Sequence, residues 1–212
     1  MTLKPRKQDF LDLLPPSLVV THQRRQGAAR YLTFDDGPNP QHTPRLLDLL
    51  ATHGIKASFF VVGQKVERHP QIVARIAAEG HMLGNHSYSH WSFKPMTQAC
   101  RLKEIRQTDE LLEPHTGHPI HRMRPPAGHM APALLWHFAL SRRNLVHWSY
   151  DSMDYQKPDH DELVARLLDA PPAPGDIILM HDDSGAAVDA LADVIPAWLE
   201  RGYTFAPLPV QA

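Results

Sequence analysis

The 212-residue chain has a single cysteine, Cys100. An internal disulfide is therefore excluded, and so are a thiolate zinc site and an iron–sulfur cluster built within one chain, since each needs several thiolates. Neither sign of charge is in excess: 22 Lys and Arg stand against 23 Asp and Glu, for a formal net charge of -1. The basic clusters are short pairs, Arg24-Arg25 and Arg142-Arg143, with no interleaved aromatics, so no nucleic-acid or other polyanionic partner is expected. No run approaches the ~20 apolar residues of a membrane span, and no span is expected. Basic residues at Lys4, Arg6 and Lys7 precede an apolar segment that Pro15-Pro16 breaks without a clear cleavage site, which reads as a cytoplasmic chain. Gly/Ser-rich and low-complexity stretches are missing too, and the length suffices for one substantial core, so one domain is expected. No particular oligomeric state is implied.

Histidine is plentiful, at 15 residues, which favours metal chemistry without locating it. The first stretch, residues 1–27, lacks sustained periodicity and reads as an extension packed on or leading into a domain spanning 28–212. From there short apolar runs alternate with helical patterns. Strands are expected at Arg30–Phe34, Ala57–Val62, His81–Gly84, His121–Arg124, Leu145–Ser149, Asp176–Met180 and Tyr203–Pro207. Thr43-Pro44 is expected to cap the first helix, and a second is expected from Pro70 to Glu79 with Gly80 ending it. Strands separated by helices imply a parallel sheet, open or closed. Asp35-Asp36, His86, Arg124, Asp151 and His181 all fall just past the C-terminal ends of different strands, and a barrel gathers those ends into one ring.

Three clusters carry chemistry. In Thr33-Phe34-Asp35-Asp36-Gly37-Pro38, two carboxylates meet where a strand ends in a turn. Alternation on a strand would send them to opposite sides, so one can reach a metal while the other faces water. By itself an Asp-Asp-Gly turn is ordinary surface structure. His86 and His90 stand at i and i+4, a spacing that a helical turn would place on one face within reach of a single ion. Two imidazoles and one carboxylate leave coordination positions open, as a catalytic site requires. His181 ends the apolar run Ile177-Ile178-Leu179-Met180, and an imidazole at a strand mouth can donate a proton near neutral pH.

In order along the chain, these motifs resemble those of the polysaccharide deacetylases of the NodB-homology class, carbohydrate esterase family four, over about Tyr31 to Pro209. Thr33 to Gly37, His86 to His90 and Leu179-Met180-His181 match in full; Arg124-Pro125-Pro126 and Asp151 to Tyr155 stand where two further motifs belong. The resemblance implies a distorted (β/α) barrel of about seven strands. It implies a metal-dependent N-deacetylase acting on N-acetylglucosamine units of an oligo- or polysaccharide, most like the chitooligosaccharide deacetylases. Asp36, His86 and His90 would hold one divalent ion, zinc by default, with cobalt, nickel or manganese acceptable to the same donors. Asp35 would be the general base, His181 the general acid, Arg124 the residue orienting Asp35, and Asp154 the partner of His181.

Leu179, Tyr155, Pro126 and Ala127 would contact substrate. Ala127 replaces an aromatic usual in the family, which would open the groove, and Tyr155 replaces a tryptophan. The same site would also serve acetylxylan ester cleavage, deformylation or opening of a cyclic amide, and a homologue without activity would remain as a carbohydrate-binding module. The intact set Asp35, Asp36, His86, His90 and His181 favours an enzyme.

Overall fold

A computed structural model describes residues 11–23 and 28–210. Lys4, Arg6, Lys7 and the Arg24-Arg25 pair lie outside the described residues. The strands are β1 (Val19–Val20), β2 (Ala29–Asp35), β3 (Ser58–Val61), β4 (Met82–Asn85), β5 (Leu145–Val146), β6 (Tyr150–Asp151), β7 (Ile177–His181) and β8 (Thr204–Phe205). The helices are α1 (Thr43–Thr52), α2 (Gly63–Arg68), α3 (Pro70–Ala78), α4 (Gln98–Thr116), α5 (Pro132–Leu140), α6 (His160–Asp169) and α7 (Gly185–Glu200).

Every strand pairing is parallel, in the order β4-β3-β2-β7-β6, with β8 beside the start of β2. Past β4 the arc continues through single parallel bridges, Asn85 to Met123 and Met123 to Leu145. The chain then crosses from β5 to β6 and returns to β7, where the Ser149 N–H reaches the Ile177 carbonyl. The result is the distorted barrel of the sequence expectation. Val19–Val20 pairs with β5 along its remaining edge.

Side-chain alternation divides the apolar residues between two layers. Leu32, Phe34, Phe59, Val61, Ile178 and Met180 pack outward against Leu46, Leu47 and Leu50 of α1 and against Leu191, Ile195 and Trp198 of α7. Tyr31, Phe60, Met82, Val146 and Ile177 turn into the barrel. Burying each large side chain contributes ~1.5–3 kcal/mol, and the outer layer is the larger source.

Some elements differ from the sequence reading. His121–Arg124 makes only the Met123 bridges, because Pro125 and Pro126 follow and cannot donate to a ladder. Leu145–Ser149 is not one strand: the chain changes partners at His147–Ser149, leaving Leu145–Val146 and Tyr150–Asp151 as separate pieces. Thr43 is the first residue of α1 and not its cap; His42 precedes it without a side-chain cap. The Thr43 hydroxyl is committed elsewhere, donating to Asp182 and accepting from the Asn39 N–H.

Candidate active site

Asp35 ends β2 and His181 ends β7, and the two are directly in register across the parallel pair, so both side chains rise from the same face at the barrel mouth. Asp36 leaves the strand with φ 74°, in the left-handed region that Asp tolerates better than most residues. That twist brings its carboxylate back toward the same cleft as Asp35, where simple alternation would have separated the two. Gly37 follows because a Cβ there would overlap the buried Asp182 carboxylate.

His86 and His90 do not lie on a helix. They sit in a loop after β4 in which Ser87 and His90 adopt φ 66° and 61°, and this irregular turn, not a helical face, aims both rings at Asp36. His86 Nε2 is 3.3 Å and His90 Nε2 2.9 Å from Asp36 Oδ1. His86 Nδ1 lies 2.7 Å from the Arg124 carbonyl oxygen. A carbonyl only accepts, so Nδ1 carries a proton, and in the neutral ring Nε2 is the nitrogen left with a lone pair. Asp36 Oδ1 is buried and has no partner of hydrogen-bond geometry among the described residues. Burial alone would raise the Asp36 pKa; the two imidazoles outweigh it and hold the group well below the usual carboxylate range.

Arg124 is fully buried over the Phe60 ring, 4.3 Å from its centroid. Its Nη1 donates to Asp35 Oδ1 at 2.7 Å and to Thr33 Oγ1 at 2.8 Å. Asp35 Oδ2 is thereby left toward the histidines, 3.8 Å from His86 Nε2. His181 Nδ1 is 2.8 Å from Asp154 Oδ1, and Asp154 Oδ2 accepts the His181 backbone N–H at 2.8 Å. Asp154 itself is oriented by the Ser152 hydroxyl and the Tyr155 N–H. Burial would depress the His181 pKa, but the hydrogen bond and charge of Asp154, with Asp35 and Asp36 nearby, raise it to about 9.

These groups open into a cavity of about 330 Å³ lined by Asp35, Asp36, His86, His90 and His181 together with Ala127, Gly128, Trp148, Asp151, Tyr155 and Leu179. Tyr155 stands half exposed at the rim, edge-on to His181 at 5.7 Å between centroids. Leu179 forms part of the floor. Pro126 does not line the cavity: it is buried within the Pro126–Gly128 turn, and Ala127, at φ 52°, supplies the wall with Gly128. Sequence reasoning assigned no site role to Trp148, whose position just past β5 was the available signal. Nor did it find Lys65, whose ammonium donates to the Asp36 carbonyl at 2.7 Å, or Asp182 beneath the Asp36-Gly37 turn.

A family model described as polysaccharide deacetylase matches residues 22–139, more than half of the chain. The chain belongs to the polysaccharide deacetylase family. This deacetylase-family chain is 37% identical over 182 residues to a peptidoglycan-N-acetylglucosamine deacetylase of Bacillus cereus, an alignment covering 84% of the chain and 66% of that relative. It is 34% identical over 199 residues to a chitooligosaccharide deacetylase of Rhizobium leguminosarum bv. trifolii, covering 84% and 89%. A crystal structure of a peptidoglycan N-acetylglucosamine deacetylase in complex with 4-naphthalen-1-yl-N-oxidanyl-benzamide superposes with TM-score 0.84 at 34% identity, covering 91% of each chain. Among the described residues no helix is long and apolar enough to cross a membrane.

The donor set fits a divalent ion. One atom each from Asp36, His86 and His90 lies within 4.8 Å of the others. A carboxylate oxygen and the imidazole Nε2 atoms need a proton or a cation between them, and an O/N₂ set with open positions suits zinc and its neighbours.

Proposed function

We propose that the protein is a metal-dependent N-deacetylase that hydrolyses the acetamide of N-acetylglucosamine units in an oligo- or polysaccharide. The observation that carries this reading is the convergence, in one open cavity, of a cation-type donor triad with a separately anchored carboxylate and a separately anchored imidazole. An ion on Asp36, His86 and His90 would supply a Lewis acid that polarises the scissile carbonyl and acidifies water.

The remaining chemistry belongs to the chain. Asp35 Oδ2, left free by the Arg124 clasp on Oδ1, takes a proton from the attacking water as its oxygen bonds to the acetyl carbon. His181, held at Nδ1 by Asp154, delivers a proton from Nε2 to the departing nitrogen as the C–N bond breaks. Acetate and a free amine result. Leu179 contacts the acetyl methyl, while Tyr155 at the rim offers an aromatic face to the sugar. The relatives' names support an N-acetylated glycan over acetylated xylan, a formyl group or a cyclic amide.

Acetate release tests the reading. Metal-loaded protein is incubated separately with N-acetylglucosamine oligomers, peptidoglycan and acetylated xylan, with Asp35→Asn as control. Release from the N-acetylated glycans, lost in Asp35→Asn, is expected. Release from xylan alone would make the protein an esterase, and none from any substrate would leave a binding module.

A further inference from the structure

The loop that carries both imidazoles is held from outside itself. At Ser87 and His90 the backbone lies in the left-handed region, which costs a non-glycine residue ~1–2 kcal/mol per position. Its carbonyls are engaged by the start of α2: Gly63 N–H donates to Ser87 O at 3.0 Å and Gln64 N–H to Tyr88 O at 2.9 Å. Its donors converge on one atom of α4. Glu104 Oε2 accepts from the Tyr88 N–H at 3.1 Å, the Ser89 N–H at 2.7 Å and the Ser89 hydroxyl at 2.8 Å. Five residues further along α4, Asp109 accepts from the Asn85 side-chain amide at 2.8 Å, and the Asn85 side-chain oxygen accepts the Ser87 N–H at 2.9 Å.

We propose that Glu104 is a positioning residue for the metal centre: by gathering the Tyr88 and Ser89 donors, it presets the separation of His86 and His90 and so raises metal affinity. The inference rests on the metal reading above. Hydrogen bonds to an ionised acceptor are the strong ones, and three on a single oxygen order a segment that would otherwise be ordered at the expense of ion binding. Glu104 touches neither the cavity nor the ligand atoms, so its effect passes through the loop backbone. Glu67 provides an internal comparison, since it holds the same loop only through the Tyr88 hydroxyl, at 2.8 Å.

Zinc affinity is measured by competition with a chromophoric chelator for the wild type, Glu104→Ala, Glu104→Gln, Glu67→Gln and Asp36→Ala, alongside melting of each metal-free protein. Removal of an outer partner of a metal ligand set typically weakens binding 10–100-fold, and that loss is expected in Glu104→Ala. A smaller loss is expected in Glu104→Gln and none in Glu67→Gln. Wild-type affinity in both Glu104 variants would overturn the proposal, as would an equal loss in Glu67→Gln. Should Glu104→Ala fail to fold, Glu104→Gln decides. If the wild type binds no zinc, or binds it equally well in Asp36→Ala, the metal reading itself fails and this inference falls with it.

Discussion

Arg124 serves Asp35 and His86 at once: its guanidinium donates to Asp35 Oδ1 at 2.7 Å, and its own carbonyl receives the His86 Nδ1 proton at 2.7 Å. One residue therefore sets the direction of the proposed base and the tautomer of a proposed ligand. The backbone half of this arrangement survives any substitution, whereas the side-chain half does not.

Arg124→Met should thus separate the two roles. Asp35 would be left buried without its cation, which typically costs ~3–5 kcal/mol, seen as a lower urea midpoint. Zinc binding should persist if the protein is studied below its lowered midpoint, because the His86 contact is to the main chain. Acetate release should fall at least tenfold.

The His181–Asp154 pair predicts a titration that can be followed directly. His181 in the folded, metal-free protein has its pKa raised from 6.5 to about 9. A raised imidazole pKa contributes stability that is fully present below about pH 6.5 and disappears as pH rises through about 9. NMR of the ring should give a midpoint near 9, falling toward the ordinary value in Asp154→Asn. A bound cation would offset Asp35 and Asp36, two of the groups that raise it, so zinc should lower the midpoint. An identical midpoint in Asp154→Asn would remove Asp154 as its partner.

Asp182 makes the opposite pH prediction. Full burial raises its pKa from 3.8 to about 7, against the lowering contributions of the Thr43 hydrogen bond and Lys65. A folded carboxyl that binds its proton more tightly than the unfolded chain does makes stability fall as pH rises from about 4 through about 7. Asp182→Asn keeps an acceptor for Thr43 and carries no charge. Its urea midpoint should exceed the wild type's at pH 8 and approach it at pH 5. Equal midpoints at both values would contradict the assignment.

The candidate site residues were legible because each sits at or just past a strand end or in a short local motif, where spacing and residue type survive in sequence. The continuous apolar run Ile177-Ile178-Leu179-Met180 likewise announced a buried strand, and the helices between the strand candidates announced a parallel sheet. What stayed hidden depends on contacts between distant segments. Val19–Val20 is a strand only because β5, some 125 residues later, offers an edge. The His86–His90 loop has helical spacing but is bent by Asn85, Glu104 and the start of α2, none of which local spacing reveals. Thr43 has the composition of a cap, yet Asp182 claims its hydroxyl.

The most direct test of the central claim is the rate of acetate release from N-acetylglucosamine oligomers as zinc is titrated into metal-free protein, for the wild type and Asp36→Ala. No release is expected without metal, then a rise that saturates at one ion per chain, with negligible release by Asp36→Ala at the same zinc concentrations. Release that survives chelation, or that Asp36→Ala matches, would contradict it.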